Sequence, residues 1–133
     1  MAPSSTPEGR IKKACCEWLE LQRDVFFWNQ ESTGIWDPRM NAFRKKNSRY
    51  QRNGVPDLLM QINVLGLPIL AGAEVKTPGN SQSDSQIEFE RLMGPHAFYR
   101  VVRSVSDLIE FVGDVRLYAR ERILKAAAPG PAL

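Results

Sequence analysis

The chain has 133 residues, 43% of them hydrophobic and 25% charged, which suits one globular domain that buries a core without disulfide staples. It holds no run of about 18 apolar residues, so nothing is expected to span a membrane, and the opening MAPSSTPEGR lacks the apolar stretch of a secretory signal; both features favour the cytoplasm. The net charge of +3 is uneven, with ten Lys/Arg against six Asp/Glu in residues 1–56 and eight against nine in residues 57–133.

Residues 1–7, rich in Pro, Ser and Thr, read as a disordered N-terminus. Ile11, Cys15, Trp18, Leu19 and Gln22 recur at helical spacing and predict a helix from about Glu8 to Gln22. Thr6 is its candidate cap and Pro7 its first residue. Cys15 and Cys16 are neighbours on that helix and point in different directions, so they are expected to be reduced thiols. With His96 as the sole histidine, behind Gly94-Pro95 where it reads as a turn residue, little material exists for a zinc site or a Cys–His nucleophile.

Val25-Phe26-Phe27-Trp28 predicts a short strand within Asp24–Asn29. Residues 30–56 read as one long polar loop, a length usually tied to function or disorder. It carries Arg44, Lys45, Lys46, Arg49 and Arg52 with no acid among them, which suits either a nucleic-acid backbone or plain solvation. Trp36 in the loop is a candidate for base stacking or a dimer contact. Strands Asp57–Val64 and Ile69–Lys76 follow, joined by a hairpin turn at Leu65–Pro68.

Thr77–Asn80 breaks the second strand, and a helix over Asp84–Met93 presents Ile87, Phe89 and Leu92. Ala97–Val102 is the fourth strand. Ser106 is the candidate cap of a last helix that runs to about Leu124 with Leu108, Ile109, Val112, Val115 and Ala119 on one face. Residues 126–133 read as a flexible tail, leaving one domain over 8–125. The order, αβββαβα, is an α/β fold with a mixed central sheet flanked by helices. Its hairpin is antiparallel, and a βαβ crossover sets its last two strands parallel.

The chemistry concentrates in Pro56-Asp57 and Glu74-Val75-Lys76. Strand alternation puts Glu74 and Lys76 on one face and Val75 on the other. With the turn at Leu65–Pro68, Asp57 falls opposite Lys76 and diagonal to Glu74. Two hard carboxylates suit Mg²⁺, which keeps waters and favours phosphate substrates. The Val75 carbonyl is a further candidate ligand, and Lys76 suits the positioning or deprotonation of a water. The plainer alternative is a surface salt bridge between Lys76 and one of the two acids.

Gly54-Val55-Pro56-Asp57, then Glu74-Val75-Lys76, then Gly79 to Gln86, then Tyr99 to Asp107, resembles the VRR-NUC branch of the PD-(D/E)XK nucleases over about residues 8–112. The resemblance implies a restriction-endonuclease-like fold and Mg²⁺- or Mn²⁺-dependent phosphodiester hydrolysis. It also implies kinship with small phage and bacterial enzymes similar to Holliday junction resolvases. It adds Glu8 as the acid at the start of the first helix, Gln86 as the Gln opening the helix after the ExK motif, and Asn29 as a substrate contact. The plainer reading of Glu8 is a favourable charge at a helix N-terminus, and of Gln86 an exposed polar residue. The family's basic residue beside Asn29 is missing, since Trp28 precedes it.

The expected function is therefore a metal-dependent endonuclease on DNA, branched or duplex, held by Arg44, Lys45, Lys46, Arg49, Arg52 and Asn29. A C2 homodimer that cuts four-way junctions in the cytoplasm of a bacterial or phage-infected cell is the expected form. The alternatives are a restriction-type, flap or single-strand nuclease, or a non-catalytic nucleic-acid-binding module of the same fold.

Overall fold

A computed structural model of the protein describes residues 6–30, 35–44, 52–94 and 97–130, with backbone alone at 35–37 and 42–44. Helix α1 spans Pro7–Glu20, and the predicted cap is in place: Thr6 accepts from the Gly9 N–H at 2.9 Å, with Pro7 just behind it. Strand β1 is Val25–Asn29. The predicted long loop contains a small hairpin instead, β2 (Ile35–Asp37) and β3 (Ala42–Arg44), paired antiparallel as a separate sheet. Residues 31–34 and 45–51 lie outside the described residues.

Strands β4 (Leu58–Val64) and β5 (Leu67–Val75) form the antiparallel hairpin. Helix α2 (Asp84–Met93) and strand β6 (Phe98–Val102) follow, and β6 runs parallel to β5. Helix α3, Val105–Ala127, closes the fold. The main sheet has the order β1-β4-β5-β6 and is mixed, as expected for the α/β class.

The core lies between one sheet face and helices α1 and α3. Leu58, Met60, Ile62 and Val64 of β4 and Ala71, Ala73 and Val75 of β5 are buried there against Cys15 and Leu19 of α1. Helix α3 contributes Leu108, Phe111, Val112, Val115 and Ala119. Ile109, predicted on that face, is exposed, and Phe111 takes its place. The cap of α3 is also corrected: Ser104, not Ser106, accepts from the Asp107 N–H at 3.1 Å, and Asp107 accepts from the Arg103 N–H in return. Cys15 and Cys16 are free, and burial pushes the Cys15 thiol up to about 11, which leaves it inert. No helix among the described residues is long and apolar enough to cross a membrane.

Helix α2 lies on the other face. A Cβ on Gly72 would meet Met93 of α2 at 3.5 Å and Pro56 at 2.9 Å. No side chain of α2 is fully buried, and Ile87 and Leu92 are 52% and 49% exposed. The N-terminus of the helix is tied down as well. There Ser83 and Gln86 form a reciprocal capping box, and the loop before β4 presses directly on the backbone.

Candidate active site

Strand alternation assembles the site. Leu58 and Ala73 pair across β4 and β5 and both point into the core. Their neighbours Asp57 and Glu74 therefore point to the opposite face, and extending the ladder by one residue sets them across from each other. The expected pairing of Asp57 with Lys76 is corrected by two residues. Val64 pairs with Leu67, so the turn is only Leu65-Gly66, both with positive φ (50° and 80°), a two-residue hairpin geometry that matches strand twist. A slip of two leaves every side chain on its expected face.

Asp57 is fixed from two directions. Its carbonyl accepts from the Gln30 N–H at 2.7 Å, and its Oδ2 accepts from the Val75 N–H at 2.9 Å. Its Oδ1 lies 3.6 Å from the Nζ of Lys12 on α1. Glu74 is 2% exposed. Its Oε1 accepts from Gln86 Nε2 at 2.7 Å and lies 4.0 Å from Lys76 Nζ. Its Oε2 is buried with no hydrogen-bond partner among the described residues. Glu8, from the first turn of α1, brings a third carboxylate, so that one oxygen each of Glu8, Asp57 and Glu74 lie within 4.8 Å of one another.

The electrostatics suit the binding of a cation. Burial, then the Asp57 charge, push the Glu74 carboxyl up to about 8, and Lys76 only partly opposes them. An unpartnered buried carboxylate oxygen is costly. Ligands of one ion lie within about twice a metal–oxygen distance of about 2.1–2.6 Å, which these three oxygens satisfy. The donor set is all hard oxygen, and it fits a hard divalent cation.

The structure thus brings together Glu8, Asp57, Glu74, Val75, Lys76 and Gln86. Val75 buries its side chain in the core and presents its backbone to the site. Gln86 owes its position to Gly54, whose φ is +80° and where a Cβ would stand 2.1 Å from the Ser85 carbonyl oxygen and 2.7 Å from the Gln86 nitrogen. Only a residue without a side chain lets the loop approach α2 so closely.

Asn29 is not part of the cluster: it pairs with Leu58 and shares that residue's sheet face, away from Asp57. Arg52 is exposed, and its charge acts on Glu88 of α2. Arg44 ends β3, with its side chain not described, and Lys45, Lys46 and Arg49 lie outside the described residues, as does His96. Trp36 pairs with Phe43 in the small hairpin.

Sequence reasoning missed Lys12. Its signal was present, since it follows Glu8 by four residues and so shares that helical face. Tyr99 was also missed as a neighbour. It shares the face of Gly72 and Glu74, its hydroxyl accepts from Gln82 Nε2 at 3.0 Å, and burial pushes the phenol up to about 12.

No family model and no curated protein matches the chain. Among solved structures, a VRR_NUC domain is similar to it, with a TM-score of 0.54 and 23% identity, covering 84% of this chain and 95% of that one. An α/β chain with a mixed four-stranded sheet, Asp57 and Glu74 face to face at one end of its hairpin and α2 laid over them, thus has the fold of a VRR_NUC domain.

Proposed function

We propose that this chain is a divalent-metal-dependent endonuclease of the PD-(D/E)XK type that hydrolyses phosphodiester bonds in DNA. The observation that carries the reading is the convergence of Glu8, Asp57 and Glu74 around a buried carboxylate oxygen with no partner among the described residues, with Lys76 4.0 Å from Glu74. Asp57 and Glu74 would hold Mg²⁺ or Mn²⁺, with Glu8 and the Val75 carbonyl completing the oxygen set. A bound ion would polarise the phosphodiester and offset the charge of the transition state. Gln86 fixes the Glu74 carboxylate by donating to Oε1. Lys76 orients the attacking water and stabilises the developing negative charge. In the reaction, the water oxygen forms a new P–O bond, one bridging P–O bond breaks, and the leaving oxygen gains a proton. A binding module without catalysis would need neither Lys76 nor three clustered acids.

The substrate we favour is branched DNA such as a four-way junction, cut by a C2 homodimer in the cytoplasm of a bacterial or phage-infected cell. Two symmetry-related sites match a two-fold substrate, and the basic segment Arg44–Arg52 supplies phosphate contacts. The test is incubation with linear, flap, fork and four-way DNA, and matching RNA, in Mg²⁺, Mn²⁺ and EDTA. Light scattering, with and without DNA, runs alongside. Metal-dependent cutting of the four-way junction and twice the 15.1 kDa chain mass are expected. Cutting in EDTA would overturn the metal role. A monomer that cuts only flaps or single strands would move the substrate accordingly.

A further inference from the structure

We infer that Lys12 is a second catalytic cation, held by Asp57 in the metal-free site and released toward the phosphodiester when an ion takes its place. The inference rests on the nuclease reading above. Lys12 projects from the same face of α1 as Glu8, its side chain is only 21% exposed, and its Nζ lies 3.6 Å from Asp57 Oδ1. The other oxygen of Asp57 is already taken by the Val75 N–H at 2.9 Å. A cation held by Glu8, Asp57 and Glu74 would therefore compete with Lys12 for the Asp57 carboxylate. Like charge then repels the ammonium from it. Part-buried and tethered to α1 by its four-methylene stem, the ammonium remains within reach of the reacting phosphate.

Its placement complements Lys76. Lys76 lies against Glu74 and Lys12 against Asp57, so the two ammonium groups contact different carboxylates of the three. Counted as ionised groups, Glu8, Asp57, Glu74, Lys12 and Lys76 carry one net negative charge. A divalent ion makes the site singly positive, and a phosphodiester makes it neutral. Without Lys12 the loaded site would be neutral before substrate arrives. The extra negative charge of the pentacoordinate transition state would then have one cation fewer to face. A charge that matters most in the transition state acts on kcat more than on KM.

The test separates this role from a scaffold that merely holds Asp57. Mn²⁺ binding is measured by calorimetry, and cleavage of DNA by steady-state kinetics, for the wild type, Lys12→Met and Lys12→Arg. The Met variant is expected to bind Mn²⁺ as tightly as the wild type or several-fold tighter, because a competitor for Asp57 is gone. Its kcat is expected to fall about 10- to 100-fold at little-changed KM, and the Arg variant should recover part of that loss. Thermal melting in EDTA and in Mn²⁺ reports folding, and Lys12→Gln serves if the Met variant does not fold. Weaker Mn²⁺ binding, with cleavage restored at high Mn²⁺, would show that Lys12 only positions Asp57 and overturn the inference. So would wild-type cleavage by Lys12→Met. A wild type that binds Mn²⁺ yet cuts no DNA or RNA would overturn the nuclease reading itself, and the role of Lys12 with it.

Discussion

Replacing Glu74 by Gln keeps the shape of the side chain and removes its charge. The wild-type carboxyl is 2% exposed and is pushed from its usual 4.5 up to about 8 by burial and by Asp57. Below pH 4.5 the folded and unfolded chains both hold the proton. Between 4.5 and about 8 the folded chain keeps a proton that the unfolded chain has lost, so metal-free stability falls as pH rises through this window. At about 1.4 kcal/mol per pH unit the loss is roughly 5 kcal/mol at most, and a relaxed site would lower it to about 2. Glu74→Gln has no such loss. Its amide also offers a donor toward Asp57 while its carbonyl still accepts from Gln86. Urea unfolding in EDTA should therefore find the variant about equal to the wild type at pH 5 and more stable by about 2–5 kcal/mol at pH 8.5. Saturating Mn²⁺ should narrow or reverse the difference, since a ligand at 100 times its Kd adds about 2.7 kcal/mol to the chain that binds it. The comparison of two chains at two pH values cancels other groups. Asp24 is one of these: Arg116 holds it below the usual carboxylate range, so its effect falls at still lower pH. Equal stabilities at pH 8.5 in EDTA would refute the reasoning.

Lys76→Met is expected to abolish turnover while DNA affinity measured in Ca²⁺ stays within a few-fold of wild type, because it supplies one of many cationic contacts; normal cutting would reduce Lys76 to a salt-bridge partner. Gly54→Ala should destabilise the fold by about 2 kcal/mol or more, through a Cβ at positive φ driven against the Ser85 carbonyl. Its surviving folded fraction should cut poorly, because Gln86 is displaced; an unchanged melting temperature would show that the loop relaxes freely. Neutralising Arg44, Lys45 and Lys46 together should weaken DNA binding and flatten its log–log salt dependence by up to about 3, whereas an unchanged slope would mark the segment as merely solvated.

What was legible in the sequence follows from periodicity. Alternation put Glu74 and Lys76 on one face whatever the exact turn, and an error of two residues in register left that face intact. The turn itself was misplaced because Leu65 adopts φ of 50°, which leucine rarely does, while Pro68 advertised a turn and instead lies in β5. At that position β5 has no β6 beside it, so a missing N–H is tolerated. The sequence pattern points to Ser106 as the cap of α3, and the structure puts the cap two residues earlier, at Ser104. Ser104 fills that place because its hydroxyl accepts from the Asp107 N–H while the Asp107 carboxylate accepts from the Arg103 N–H, which satisfies donors on both sides of the helix start. The hairpin at residues 35–44 carries three-residue strands, too short for any period to register. Lys12 was passed over because its partner Asp57 is 45 positions away in the chain, and such proximity is a property of the folded sheet alone.

Helix α2 has a consequence for how the site responds to time rather than to substitution. With no side chain fully buried, it has little apolar contact to resist a local opening, and such openings expose backbone amides well before the whole domain unfolds. Gln86 belongs to this helix, so each opening strips Glu74 of the Gln86 donor. Amide hydrogens of α2 should exchange with deuterium faster than those of β4 and β5 in EDTA. An ion that fixes Glu74 would also hold Gln86, and its arrival should slow exchange along α2 although the helix supplies none of the three carboxylates. The helix would then act as a clock for site occupancy, readable by mass spectrometry on a protein that is cutting nothing.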